Sequence, residues 1–259
     1  MPTLSPARSR SRYAPSRYEP LDALRGAAIV WMTLFHFSFD LNHFGYINAD
    51  FYADPFWTWQ RSVIVSLFVL CAGMAQAVAA QQGQSWSQFW RRWRQVALAA
   101  LLVTAGSYAM YPQSFIYFGV LHALAIMLIV ARLTVRCGVW LWLMGAVVLM
   151  LPWAAAYLHA AWTGAEVLNT PALNWLGLIS RKPITEDYVP LLPWLGVMWW
   201  GVAAGVWVLK ARPQWLARPV MSPMRPLAVL GCWSLSYYLL HQPVLIGALM
   251  GVQMLINRA

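Results

Sequence analysis

The residues best suited to chemistry are gathered in one apolar stretch, residues 18–42, YEPLDALRGAAIVWMTLFHFSFDLN, with Asp22, Arg25, His36 and Asp40 inside it and His43 just beyond. On a helix turning about 100° per residue, the eleven-residue step from Arg25 to His36 returns to within about 20° of the same direction. Asp40 lies one turn past His36, and His43 falls almost in line with Arg25. Arg25, His36, Asp40 and His43 therefore share one narrow face. At about 1.5 Å rise per residue, Arg25 and His36 stand roughly 16 Å apart along the axis. An ionisable group inside a membrane helix costs about 2.5–3.5 kcal/mol or more and ordinarily marks a pathway, a relay or a site. The bland alternative is an interhelical salt-bridge stripe.

The chemistry these types offer is proton handling and acyl transfer. Histidine is the natural general base near neutral pH. Asp40, one turn away, is placed to fix the His36 tautomer or to hold an acceptor amine. His36 is equally a candidate to take an acyl group covalently before passing it on. Arg61 and His122 are candidates to stabilise a developing oxyanion. Each has a plainer alternative: helix-end pairing of Arg61 with Asp50 or Asp54, and a hydrogen-bonded packing role for His122.

The elements that must position these groups are membrane helices. The chain is 61% hydrophobic and only 10% charged, against about 25% charged in a soluble domain. Its long apolar runs predict an all-α polytopic bundle, and the alternation of an outer-membrane barrel is absent. The net charge of +10 is no nucleic-acid signal, because most Lys and Arg sit in short loops between apolar runs. Cys71, Cys137 and Cys232 are far apart and offer neither a metal site nor a disulfide framework, so no metal is expected.

Residues 1–17, rich in Arg, Ser and Pro, read as a disordered basic cytoplasmic tail, and 18–259 as one transmembrane domain. About seven spans are expected, near 21–44, 58–80, 95–110, 115–131, 138–158, 189–209 and 232–256. The segment between the second and third spans, QQGQSWSQFWRRWRQ, is expected in the headgroup region. The tail, 81–94, 132–136 and 210–225 hold four, three, two and four basic residues. By the positive-inside rule those loops and the N-terminus are cytoplasmic. Membrane lipids are then expected partners, in what reads as a bacterial inner membrane. Gly201-x-x-x-Gly205 and Gly247-x-x-x-Gly251 read first as packing inside the bundle, with a homodimer contact as the other use of such spacing.

Orientation converts spacing into depth. His36, Asp40, Arg61 and His122 are expected in the outer half, and Arg25, His241 and the basic loops in the inner half. This polarity suits a long anionic donor that anchors its phosphates on the basic side and presents a reactive end near His36. Arg91, Arg92 and Arg94 are the candidates to draw the phosphates, with Arg25 and His241 on the same inner side. The plainer role of the three arginines is to set topology and anchor headgroups.

The ordered blocks LDALRGAAIVWMTLFHFSFDLNHFG (21–45), SLFVLCAGM (66–74), FGVLHALA (118–125), DYVPLLPWLGVMWWG (187–201) and SLSYYLLHQPVL (234–245) resemble a bacterial membrane family grouped with the catalytic domain of heparan-alpha-glucosaminide N-acetyltransferase. The Arg25-x10-His36 step resembles the first-helix signature of transmembrane acyltransferases. The resemblance implies transfer of acetyl from cytosolic acetyl-coenzyme A to an extracytoplasmic glycan or amino sugar. It carries a histidine role onto His36, and has Arg25 serve the coenzyme side or hold the site in shape. The competing classes are a small proton-coupled transporter or channel using the same His and Asp as a relay, and a non-enzymatic assembly factor.

Overall fold

The computed structural model describes residues 17–257, so the expectation for the tail falls, apart from Arg17, outside the described residues. Seven long helices carry the fold: α1 (Glu19–His43), α2 (Pro55–Gln81), α3 (Trp86–Met110), α4 (Val120–Thr134), α5 (Trp140–Ala161), α6 (Leu191–Ala211) and α9 (Ser234–Ile256). Two short ones, α7 (Pro213–Ala217) and α8 (Arg225–Cys232), join α6 to α9. No strand occurs among the described residues. The chain is an all-α polytopic bundle. Five of the long helices are long and apolar enough to cross a membrane: α2, α4 with the turn after it, α5, α6 and α9. The other two, α1 and α3, are 25 residues each but carry the acidic and basic residues that lower their hydropathy.

Local chemistry sets where the helices begin. Proline stands in the first turns of α1 and α2, where its missing N–H costs nothing. Asp54 caps α2, its carboxylate accepting from the Phe56 N–H at 2.8 Å. Ser85 and Gln88 form a reciprocal capping box that starts α3. The expected headgroup segment is thus the end of α2, the turn at 82–85 and the first turns of α3. Gly119 precedes α4 and has no side chain to cap it. The cap comes from 67 residues away, where Asp187 Oδ2 accepts from the Val120 N–H at 2.9 Å.

Helices α2 and α6 form the centre. Gly201 faces the backbone of Leu70, Gly205 faces Met74 and Ala77, and Gly73 faces Met198 and Val202. The first glycine pair therefore packs inside the bundle, as its spacing predicts, because only a hydrogen fits between these backbones. The second pair does not: nothing lies within 4 Å of a Cβ at Gly247 or Gly251. Helix α5 covers the far side of α6 through Gly145 and Gly196. On the near side α1 packs against α2, and α8 and α9 both lie along α1.

Candidate active site

The run of α8 into α9 beside α1 decides the site. Helix α8 lies so close on the start of α1 that Gly26 meets the Leu227 backbone and Gly231 meets the backbone of Asp22 and Gly26. The helix only kinks at Trp233, whose N–H bonds the Leu230 carbonyl at 3.0 Å while its own carbonyl accepts from the Tyr237 N–H at 2.9 Å. Helices α8 and α9 therefore run beside α1 in one sense, with Gly231 at Gly26, Tyr237 at Thr33 and His241 at His36. Thr33 Oγ1 bonds the Tyr237 hydroxyl at 2.9 Å, the His36 ring meets the His241 ring, and Asp40 bonds Gln242.

At the base of this seam Arg25 pairs with Asp22 at 2.9 Å and reaches the Gly231 carbonyl at 3.4 Å. Arg17 also faces Asp22, at 3.4 Å, and the Cys232 thiol donates to it at 3.5 Å. Through one guanidinium nitrogen Arg25 thus links Asp22 of α1 with the end of α8.

Higher up, the His36 and His241 rings lie edge to face with centroids 5.1 Å apart. His241 is buried, stacked on Tyr237 at 6.0 Å. Its Nδ1 lies 2.8 Å from the Tyr238 carbonyl. A carbonyl only accepts, so Nδ1 carries the proton and Nε2 keeps a lone pair. That Nε2 is buried with no hydrogen-bond partner among the described residues. His36 likewise makes no hydrogen bond to them. Asp40 is buried, its Oδ1 accepting from Gln242 Nε2 at 2.6 Å while Oδ2 has no partner among the described residues. A buried acceptor left without a donor costs about 1–3 kcal/mol. Three of them, on His241, Asp40 and Gln242, converge on the α1–α9 seam and suit a ligand rich in N–H or O–H donors.

Two sequence expectations are corrected here. His241 was placed in the inner half, away from His36. It stands against His36 because the helical run starts at α8 rather than near 232 and holds one register along α1, with Gly231 at Gly26 and His241 at His36. Asp40 was expected either to fix the His36 tautomer or to hold an acceptor amine, and for the first its bond goes elsewhere, across to Gln242 on α9.

Among the described residues no hydrogen bond, ion pair or ring contact joins His122, Arg61 or the three arginines of α3 to the pair. His122 has both ring nitrogens engaged: Nδ1 accepts from the Gly119 N–H at 3.2 Å, and Nε2 meets Thr104 Oγ1 at 3.0 Å. No donor is left for an oxyanion, and the ring instead ties α4 to α3. Arg61 pairs with neither Asp50 nor Asp54, whose carboxylates accept backbone N–H groups at the turn before α2. Its charge acts on Asp187 and Lys182 in the connection before α6. Arg91, Arg92 and Arg94 are exposed on α3.

Sequence reasoning missed the connection at 182–188. Thr185 binds the Phe115 carbonyl at 2.9 Å, Glu186 accepts from Ser114, and Asp187 caps α4. Burial pushes the Asp187 carboxyl above its usual range, against the Val120 N–H and the charges of Lys182 and Arg61. A polar run, TEDY, inside an apolar chain was the available signal. Among the described residues no cluster of side chains could hold a metal ion.

A family model described as heparan-alpha-glucosaminide N-acetyltransferase, catalytic, matches residues 17–243. The matched span takes in His36, Asp40, Arg61, His122, His241 and Gln242. No curated protein and no solved structure matches the chain. With the family model covering most of its length, the chain belongs to the heparan-alpha-glucosaminide N-acetyltransferase catalytic family, a family of membrane acetyltransferases.

Proposed function

We propose that this chain transfers acetyl from acetyl-coenzyme A on the cytoplasmic side to an amino sugar or glycan on the other side, with the His36–His241 pair handling the proton. The supporting observation is the seam where α1 meets α9. Two imidazole rings stand 5.1 Å apart, one with a lone pair fixed and unpartnered, beside a buried carboxylate with one oxygen free. The family description, which names an amino-sugar acceptor, supports the reaction class.

His36 takes the proton from the acceptor's attacking nitrogen or oxygen as that atom closes on the thioester carbonyl carbon. As the carbonyl re-forms, the C–S bond breaks, and the imidazolium returns the proton to the departing thiolate. His241 offers a fixed proton acceptor next to His36. Asp40 Oδ2 holds an N–H or O–H of the acceptor and offsets the charge that develops on the ring. In the covalent form of the same reading, a ring nitrogen of His36 carries the acetyl between donor and acceptor.

The test is His36→Ala, purified and reconstituted with acetyl-coenzyme A and an amino-sugar acceptor. Acetyl transfer is expected to fall at least about 100-fold, the lower range for a positioned acid–base group, with coenzyme binding retained. Near wild-type transfer would remove His36 from the mechanism. Assays in detergent, where no gradient exists, separate this reading from transport: an enzyme turns over there and a proton-coupled transporter does not.

A further inference from the structure

Helices α2, α4 and α6 all end beside one groove of about 510 Å³. Arg132, Arg136 and Lys210 line it together with Trp86, over an apolar floor that includes Ala77 and Leu209. The Arg132 guanidinium lies over the Trp86 ring at 5.2 Å and donates to the Gln84 carbonyl, which fixes it in place. Arg136 and Lys210 make no hydrogen bond or ion pair with the described residues. The chain's eight carboxylates all lie elsewhere: on α1, before α2, and in the connection before α6.

Three cations thus converge on a concavity with no counter-anion. Three helix C-termini offset part of this, at about half a negative charge each, and an excess of more than one positive charge remains. A groove this large takes more than a bare inorganic ion, and its apolar floor and tryptophan suit a ligand with an apolar flank. Arginine forks favour phosphate oxygens.

From this we infer that the groove is a phosphate-binding site for an amphiphilic phosphate-bearing ligand. The same chemistry has two sources, the headgroup of an acidic phospholipid and the phosphates of a soluble coenzyme. The inference does not rest on the acetyl-transfer reading, since His36 and His241 lie on the α1–α9 seam and none of the groove residues is on it.

The test uses the full chain and the double variant Arg136→Gln/Lys210→Gln. Both residues are exposed and make no hydrogen bond or ion pair among the described residues, so the fold loses no specific polar contact. Retention of phosphatidylglycerol against phosphatidylcholine is read by native mass spectrometry, and coenzyme A affinity by calorimetry at low and high salt. Loss of phosphatidylglycerol retention alone assigns a lipid headgroup. A loss of about tenfold or more in coenzyme A affinity, with a flatter salt dependence, assigns the coenzyme phosphates. If the double variant proves unstable, Lys210→Gln alone is read the same way, together with the salt dependence of the wild type. Unchanged retention and unchanged affinity would overturn the proposal, leaving the three cations as helix-end and topology charges.

Discussion

His36, His241 and Asp40 differ in how much of their bonding the protein itself satisfies. His241 spends Nδ1 on the Tyr238 carbonyl, Asp40 spends one oxygen on Gln242, and His36 spends nothing. This gradient separates parts that are held from a part that is left to react. It also gives Asp40→Asn a clear expectation. The amide oxygen of asparagine accepts from Gln242 as the carboxylate does, so the link between α1 and α9 persists. The negative charge and the second accepting oxygen are lost. Acetyl transfer is expected to fall about 100-fold, while thermal unfolding in detergent shifts little. An Asp40→Asn enzyme with full activity would show that the carboxylate serves only as the α9 tether. His122 is the contrasting case, because both its nitrogens are spent on Gly119 and Thr104.

At the scale of elements, the register that α8 and α9 keep along α1 sets the height of His241. Its geometry depends on the close approach of α8 to α1. A Cβ at Gly231 would sit 1.8 Å from the Asp22 carbonyl oxygen, and one at Gly26 would sit 1.9 Å from that of Leu227. Both neighbours are backbone, so neither can rotate away. Gly231→Ala is expected to destabilise by about 1–3 kcal/mol, to loosen the Arg25–Gly231 bond and to lower activity by moving α9 away from His36. Gly247→Ala, with nothing within 4 Å, is the matched control and is expected to be neutral. Thermal unfolding and acetyl transfer measured on both variants decide the matter. Equal melting temperatures would mean that α8 is not held by this contact. The same physics explains why the seven long helices were legible as apolar runs, whereas the small helix α8 was read as part of a Pro-rich loop. Pro219, Pro223 and Pro226 crowd its start and give the stretch the composition of a loop.

For the whole molecule, the basic loops make a topological claim. Thirteen of the eighteen Lys and Arg fall in the tail, 81–94, 132–136 and 210–225. Reporter fusions in 81–94 and 210–225 are expected to score cytoplasmic, and fusions within 159–188 periplasmic. A periplasmic score at 81–94 would invert the molecule and put the Arg132–Arg136–Lys210 groove on the side away from the cytosolic donor. In the expected orientation the groove opens where acidic lipid headgroups and cytosolic coenzyme both lie, and the connection at 182–188 faces the acceptor.

The sequence by itself determined the class, the long helices, the face shared by Arg25, His36 and Asp40, and the family. These are properties of local stretches: hydropathy, charge and motif accumulate along the chain and need no knowledge of neighbours. The tertiary structure decided which groups meet. Asp40 and Gln242 are 202 residues apart, and their contact follows from α8 and α9 lying along α1 in one register, which no periodicity announces. The cap on α4 comes from Asp187, and the cations that share a groove are Arg132, Arg136 and Lys210, not the adjacent Arg91, Arg92 and Arg94. In a membrane every long apolar helix is an acceptable span, so hydropathy leaves the choice of partner open. Small residues, such as Gly26, Gly73, Gly201 and Gly231, make that choice by fixing where two backbones can touch.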